Sequence, residues 1–315
     1  MDTFPGDTFP TDILPGLRHR ADLLAEGYTD TELARLRRSG ALATVRRGAY
    51  LPSGDERLDH PEHRHALLVD ATLRRLAPGA VVSHASAAVL YGLPVWGVPL
   101  HRVHVSRDGR SGGRVSGRLH LHVSPVAADE IVARDGRLLT SPERMLADLA
   151  CSLPFEQTVA ITDQALRREL CTPEGLARAF TRAAGRPGAP RAHRALGFAD
   201  PRSEGVGESR SRCAMRLAGL PAPVLQWEVR SEQGRFLGRV DFAWPELGVV
   251  GEFDGRVKYG KYLKPGQSAG DAVFAEKVRE DAIRGTGLWV VRWIWADLDA
   301  FGPVADRLRA RFTAG

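Results

Sequence analysis

The chain has 315 residues, of which 43% are hydrophobic and 26% are charged, which is typical of a folded protein with two or three domains and excludes a disordered one. Its formal net charge of +6 is compatible with a polyanionic partner such as nucleic acid, or with a GC-rich genome that favours arginine. The three cysteines are widely spaced and include no C-x-x-C pair, which disfavours a zinc knuckle and a disulfide framework. We find no signal segment and no plausible membrane span, so we expect a cytoplasmic protein.

The first predicted domain has the outline of a winged helix-turn-helix. Apolar periodicity predicts a helix over 17–26 and a second helix, capped by Thr29 or Asp30, before a short hairpin with Arg46 and Arg47 at its tip. Guanidinium groups offer charge and forked donors to phosphates, so the basic residues of this segment are candidates for DNA contact. A solvated basic helix face is the alternative. The candidate DNA-binding residues are Arg37, Arg38, Arg46 and Arg47.

The middle segment is predicted to be mostly helical with one β-hairpin. Strand-like alternation over 101–106 and 117–124 flanks a loop rich in Gly and Arg, which we expect at the hairpin tip. The serines beside His84 lack a G-x-S-x-G motif, and the histidines that begin the first helix lack further ligands, so we predict no catalytic or metal site here. The predicted helices cover 59–76, 83–96, 155–170 and 173–184, with another that starts at a Ser141 cap.

The C-terminal segment has a mixed α/β pattern, in the order helix, three strands, helix, strand, helix. Two of its apolar strands carry acids, Asp241 in the first and both Glu252 and Asp254 in the second. Alternation places Glu252 and Asp254 on one face of their strand. Carboxylates in apolar strands are costly to bury unless they are paired or bind a metal, which makes this stretch the candidate site.

A shared divalent cation is one explanation of these acids. Asp241 and Glu252 on adjacent strands can share one Mg²⁺ or Mn²⁺, because hard cations prefer carboxylate oxygens, and the metal would activate water for phosphodiester hydrolysis. Lys258 is then the candidate cation on the phosphate side, and Glu208 from the preceding helix is an auxiliary acid. The alternative is a network that holds the fold together, in which Arg239, Arg292 or backbone donors satisfy the carboxylates.

The motifs RVDF and VVGEFDGRVKY, within 239–259, resemble the PD-(D/E)xK nuclease superfamily, in its branch related to very-short-patch repair endonucleases. The match covers about 203–312 and implies a fold like that of restriction endonucleases with metal-dependent DNA cleavage. The sequence departs from the family pattern at the usual lysine position, which Asp254 occupies, while Lys258 lies four residues later. The catalytic residues that the resemblance implies are Asp241, Glu252, Asp254 and Lys258.

The N-terminal half resembles the AbiEi-type antitoxins of abortive-infection toxin–antitoxin systems. Besides the two short helices, the matching stretches are RRGAY at 46–50, SHASAAVLYGLP at 83–94 and TSPERMLADLA at 140–150. The resemblance implies a winged helix-turn-helix that binds operator DNA, a second domain of less clear function, and a toxin or other protein as a further partner.

Two functional hypotheses follow from these patterns. The first is a DNA-binding protein with a Mg²⁺-dependent, endonuclease-like C-terminal domain. The second is a non-catalytic transcriptional repressor or antitoxin in which the nuclease fold is vestigial. The predicted domains are a winged helix-turn-helix over 1–55, an AbiEi-like middle domain over 56–184, a linker over 185–200 and a PD-(D/E)xK nuclease-like domain over 201–315.

Overall fold

The computed structural model describes residues 16–255 and 269–313, and the chain divides into two compact units, Met1–Ala199 and Asp200–Gly315. Both units combine helices with β-sheets, so the predicted multi-domain α+β class is confirmed. None of the helices in the described part of the chain has both the length and the apolar character that a membrane span needs.

The N-terminal part of the first unit contains two short helices and a three-stranded sheet. Its elements are β1 (Arg18–His19), α1 (Arg20–Ala25), α2 (Asp30–Arg38), β2 (Leu42–Arg46) and β3 (Ala49–Pro52), with strand order β1-β3-β2. Thr29 caps α2 through a capping box with Glu32. Leu23, Leu33 and Tyr50 form a small core. The helix predicted over 17–26 begins only at α1, because the two residues of β1 pair with β3 instead.

The rest of the first unit is built on a six-stranded mixed sheet. Its strands are β4 (Val81–Val82), β5 (Val103–Arg107), β6 (Arg114–Val115), β7 (Leu119–Val123), β8 (Ile131–Arg134) and β9 (Arg137–Thr140), in the order β6-β7-β5-β4-β9-β8. The sequence pattern predicts a single hairpin made of the strands β5 and β7. These two strands pair in parallel instead, and the hairpin partner of β7 is the short β6 between them. Alternation identifies a strand but not its direction, which explains the error.

Helices α3 to α8 complete the first unit. They are α3 (Pro61–Leu73), α4 (His84–Leu90), α5 (Pro142–Ser152), α6 (Phe155–Arg167), α7 (Pro173–Arg182) and α8 (Ala189–Leu196). Ser141 caps α5, as predicted, by accepting a hydrogen bond from the Arg144 N–H. The predicted linker over 185–200 is wrong in its centre, because α8 forms there and buries Ala192 and Ala195. Alanines repeated every third residue give this helix an apolar stripe despite its Gly- and Pro-rich start.

The second unit follows the predicted order of elements. They are α9 (Val206–Leu217), β10 (Val224–Arg230), β11 (Phe236–Trp244), β12 (Val249–Asp254), α10 (Ala269–Arg284), β13 (Trp289–Ile294), α11 (Trp295–Leu298) and α12 (Gly302–Phe312). The sheet has the order β10-β11-β12-β13, antiparallel except for the parallel pair β12 and β13. That parallel pair is joined through α10, as a crossover connection requires.

The two faces of this sheet carry separate sets of contacts. Phe253 of β12 points to α9, where Gly207 allows close approach, since a Cβ at Gly207 would lie 1.9 Å from the Phe253 ring. Phe242 and Trp293 pack in the same core, with ring centroids 5.3 Å apart. Glu252, one residue before Phe253, points to the opposite face because side chains alternate along a strand. Neighbouring residues of one strand are therefore presented to different helices.

Candidate functional site

A row of polar residues crosses the C-terminal sheet. Gln226 of β10 and Asp241 of β11 each lie between residues that form apolar pairs in the ladder of these two strands. The ladder of β11 and β12 ends one residue short of Asp241 and Glu252, and β12 pairs Glu252 with Arg292 of β13. Gln226 has φ of 53°, in the left-handed region that is uncommon for residues other than glycine. The sequence-predicted acids Asp241 and Glu252 thus lie on adjacent strands, where the ladder between them ends.

Asp241 forms one group with Glu208 of α9. Glu208 is 6% exposed, and its Oε2 accepts hydrogen bonds from the Glu204 N–H at 2.9 Å and from Gln226 Nε2 at 2.9 Å. Burial, followed by the negative charge of Asp241, raises the pKa of Glu208 to about 8. Asp241 is half-buried, and its Oδ2 accepts a hydrogen bond of 2.8 Å from the Phe253 N–H. The helix and the strand thus bring two carboxylates together where water has little access.

Glu252 forms a second group with two arginines. Its Oε1 accepts from Arg279 Nη2 of α10 at 2.7 Å, and its Oε2 accepts from Arg292 Nε at 2.7 Å. Arg292 also pairs with Glu280 of α10, Nη1 to Oε2, at 2.9 Å. Both oxygens of the carboxylate that the sequence assigns to a metal are therefore engaged by guanidinium groups. Of the two arginines that the sequence offers as alternative partners, Arg292 is one of these two, whereas Arg239 donates to Glu204.

The remaining predicted catalytic residues lie at the end of β12 and beyond it. Asp254 is the last residue of β12, is half-buried and lies beside Ile294 of β13 in the parallel ladder. Lys258 lies outside the described residues. The basic group of the predicted site therefore stays a prediction.

The four candidate DNA-binding arginines divide into two kinds. Arg37 and Arg38, in the last turn of α2, and Arg47, in the turn between β2 and β3, are exposed. Arg46 is half-buried, and its Nη1 is buried without a hydrogen-bond partner. Burial, then the charges of Arg75 and Arg118, lower the pKa of Arg46.

Sequence reasoning missed a group of histidines in the first unit. Within residues 16–255 and 269–313, the one group of three His, Cys, Asp or Glu side chains close enough to share an ion is formed by His84, His104 and His122, whose candidate ligand atoms lie within 4.8 Å of one another. They come from α4, β5 and β7, so no regular spacing in the sequence predicts that they lie together. The sequence shows the alternation of His120 and His122 along one strand, but it does not show which strand lies beside them in the sheet.

Comparisons with known proteins give relatives without an assigned activity. No family model matches the sequence. The chain is 32% identical over 176 residues to two curated proteins of Mycobacterium tuberculosis, Uncharacterized protein MT2308 and Uncharacterized protein Rv2248, which covers 56% of this chain. It spans 62% of the length of these relatives. Among solved structures, the crystal structure of the RV2827C protein from Mycobacterium tuberculosis aligns with a TM-score of 0.40 at 19% identity, covering 69% of this chain and 84% of that chain.

Proposed function

We propose that the chain is a DNA-binding protein whose C-terminal unit hydrolyses phosphodiester bonds with the help of a divalent cation. The observation that carries this proposal is the convergence of the buried Glu208 from α9 and the half-buried Asp241 from β11. Two carboxylates at such a position repel each other, so one of them retains a proton near neutral pH. A divalent cation can replace that proton and satisfy both groups.

The donor chemistry fits Mg²⁺ or Mn²⁺ at Glu208 and Asp241. Both ions prefer carboxylate oxygens and retain several waters, so two protein carboxylates are a sufficient anchor. Glu252 fits less well, because a cation would have to displace Arg279 and Arg292 from its oxygens. We therefore assign the metal to Asp241 and Glu208, and assign to Glu252 the positioning of the two arginines. When bound, such a cation lowers the pKa of a coordinated water and offsets the charge that develops on the phosphate.

The other residues of the site have supporting roles in this proposal. The Gln226 amide and the Glu204 N–H both donate to Glu208 Oε2, which fixes the orientation of that carboxylate. The Phe253 N–H does the same for Asp241. Asp254 remains the supporting acid of the prediction, and Lys258 remains the cation expected beside the scissile phosphate. Charged donors near that phosphate would bind its oxygens and orient it for attack.

The N-terminal arginines support the DNA-binding part of the proposal. Arg37, Arg38 and Arg47 expose guanidinium groups on α2 and on the β2–β3 turn. Arg46 lies in a neighbourhood of like charge with Arg75 and Arg118, which the phosphates of a DNA backbone would stabilise. We expect an Arg46→Gln and Arg47→Gln double variant to weaken DNA binding and to reduce the salt slope of log K by about 0.9 for each phosphate that the variant no longer neutralises. Fluorescence anisotropy over a salt series measures both, with Arg307→Gln in the other unit as the control.

The hydrolysis proposal is tested with supercoiled plasmid and a single-stranded oligonucleotide. We expect cleavage that requires Mg²⁺ or Mn²⁺, stops with a chelator and falls by at least about 100-fold in Asp241→Asn and in Glu208→Gln, as loss of a key electrostatic group does. Glu246→Gln, an exposed carboxylate of the same unit, is the matched control and should cleave like the unchanged protein. Cleavage that persists in both site variants would show that the activity does not come from this site.

A second candidate is a non-catalytic repressor or antitoxin, and the pairing of Glu252 with two arginines favours it. In that case the acidic residues of the C-terminal sheet only stabilise the fold, and the chain acts only by binding a specific DNA sequence or a toxin. We then expect a footprint upstream of its own gene that depends on Arg46 and Arg47, with no cleavage in either metal. Binding without any sequence preference would contradict this alternative.

A further inference from the structure

Three histidine rings meet in the first unit, beside the six-stranded sheet. His84 comes from the start of α4, His104 from β5 and His122 from β7. His104 Nδ1 lies 2.9 Å from His122 Nε2, and the His84 and His122 rings stack with centroids 3.6 Å apart. One candidate ligand nitrogen of each ring lies within 4.8 Å of the other two. Two nitrogens that each lie 2.0–2.1 Å from a tetrahedral ion are about 3.3 Å apart, so the observed spacing needs little adjustment to receive one.

A neighbouring histidine shows what a structural role looks like in the same unit. His65 is buried, and its two ring nitrogens contact Leu100 O and Ser86 Oγ, each at 2.8 Å. Both nitrogens are thus satisfied by the fold. In the His84, His104 and His122 group, by contrast, two ring nitrogens contact each other, so one donates and the other accepts. A change of tautomer that moves the donor's proton to its other ring nitrogen leaves both facing nitrogens with lone pairs for one ion.

A buried carboxylate beside the group supplies compensating negative charge. Asp148 of α5 lies with Oδ2 4.0 Å from His84 Nδ1, and this oxygen is buried without a hydrogen-bond partner. The other oxygen, Oδ1, pairs with Arg144 at 3.0 Å and with Arg186 at 2.6 Å. Buried polar atoms are seldom left unpaired, so Oδ2 requires an explanation of its own. A carboxylate next to metal-bound histidines is a common feature of zinc sites.

We propose that His84, His104 and His122 bind one zinc ion, with Asp148 as the carboxylate outside the ligand shell. Imidazole nitrogen is a preferred ligand of Zn²⁺, and three protein ligands leave the fourth tetrahedral position to water or to an oxygen of a bound molecule. His84 has φ of 50°, a left-handed conformation that is uncommon for a residue other than glycine and that clusters at functional sites. This site is independent of the carboxylates of the C-terminal unit.

The test is a zinc titration of the full, untagged chain after removal of metals with a chelator. Competition with a chromophoric zinc chelator gives the stoichiometry and affinity, and we expect one tight equivalent. His122→Gln and His104→Gln should each weaken zinc binding by at least about 10-fold. His120→Gln, whose ring stacks on His122 with centroids 3.7 Å apart but lies outside the ligand group, is the matched control and should bind like the unchanged chain. Replacement by Co²⁺ should give the absorption of a tetrahedral site in the unchanged chain and in this control, but not in the two ligand variants.

Thermal unfolding distinguishes the loss of a ligand from the loss of structure. Zinc should raise the Tm of the unchanged chain and of His120→Gln, because an ion that binds only the folded state stabilises it. At the same zinc concentration it should raise the Tm of His122→Gln by less, because the affinity is weaker, although that variant is folded by circular dichroism. The proposal is overturned if His122→Gln and His104→Gln bind zinc as tightly as the unchanged chain, or if the unchanged chain binds none. His60→Gln, in the separate pair with His63, tests for zinc held elsewhere and should have no effect.

Discussion

The two sides of the C-terminal sheet bury carboxylates to a similar degree and compensate them differently. Glu252, 9% exposed, faces α10 and is neutralised by Arg279 and Arg292. Glu208, 6% exposed, lies on α9 next to a second acid, Asp241, with hydrogen-bond donors but a raised pKa. Burial of a charge requires a partner, and Glu252 has two built-in cations whereas Glu208 faces a charge of its own sign.

The charge of the neighbouring groups distinguishes Glu252, a structural carboxylate, from Glu208, a candidate metal ligand. A carboxylate between two guanidinium groups gains nothing from a divalent cation, because it would exchange two partners for one ion. A charged carboxylate close to another acid is destabilised by repulsion, and binding of a proton or a cation removes this repulsion. Burial and sequence position alone do not distinguish Glu208 from Glu252, since both acids lie in the same small unit and both are buried. The charges of their neighbours distinguish them.

Removal of Glu252 is the strongest test of the α10 side. We expect Glu252→Ala to lower the free energy of unfolding by about 3 kcal/mol, the lower end of the range for a buried ion pair, because the two arginines that lose their partner are half-buried. Urea denaturation measures the change. Glu228→Ala is the control, since Glu228 forms an ion pair with Arg230 on the surface of the same sheet and should cost about 0–1 kcal/mol. If Glu252→Ala unfolds like the unchanged chain but loses metal binding, Glu252 is a ligand and the contrast between the two sides fails.

The α9 side should instead show the burial of Glu208, together with its repulsion by Asp241, as a dependence of stability on pH. The unfolded chain loses the Glu208 proton near the usual glutamate pKa, whereas the folded chain keeps it up to about pH 8. Folding is therefore favoured at low pH, and stability falls as the pH rises from about 4.5 to about 8, at about 1.4 kcal/mol for each pH unit. Glu208→Gln keeps an acceptor for both donors but has no proton to lose, so it should not show this fall.

Chemical denaturation at several pH values in the presence of a chelator measures this effect. The difference in stability between Glu208→Gln and the unchanged chain should grow up to about pH 8 and then stay constant. Addition of Mg²⁺ or Mn²⁺ should restore stability to the unchanged chain alone. Parallel pH profiles for the two proteins would mean that neither burial nor Asp241 raises the pKa of Glu208 in the folded chain.

The sequence predicts the elements of this protein better than their pairing. The Thr29 and Ser141 caps and the order of the C-terminal elements follow from local patterns, and the structure agrees with them. The parallel pairing of β5 with β7 does not follow, because alternation is the same in either direction. Helix α8 was hidden by glycine and proline, whose usual meaning is a turn.

Local sequence patterns also predict only part of the candidate sites. Asp241 and Glu252 are recognisable from sequence because acids in apolar strands are unusual. Arg279 is not recognisable as a partner of Glu252, since it lies on another element and only the packing of α10 brings it there. The histidine group is hidden for the same reason, with His84 on a helix and His104 on a strand that faces it. An acid that is unusual within its own strand can be recognised in the sequence, whereas a partner that only the packing of another element brings near it cannot.

A smaller effect on stability tests whether the packing of α9 against β12 holds Glu208 close to Asp241. Gly207 is the helix residue just before Glu208, and a methyl group there would lie 1.9 Å from the Phe253 ring, so α9 or the ring must move. We expect Gly207→Ala to cost about 1–3 kcal/mol, as overpacking does, although alanine is otherwise favoured in helices. Gly302→Ala is the control, because its Cβ would have nothing within 4 Å and should be neutral or slightly stabilising. Denaturation in urea compares them.

The informative result is the effect of Gly207→Ala on the pH profile. If α9 moves away from β12, Glu208 moves away from Asp241 as well, and its pKa should fall towards the usual value. The loss of stability between about pH 4.5 and 8 should then be smaller in Gly207→Ala than in the unchanged chain. A destabilised variant with an unchanged pH profile would mean that the ring moved and the helix did not. The repulsion would then be a property of the sheet and its hydrogen bonds, because the approach of the helix would no longer control it.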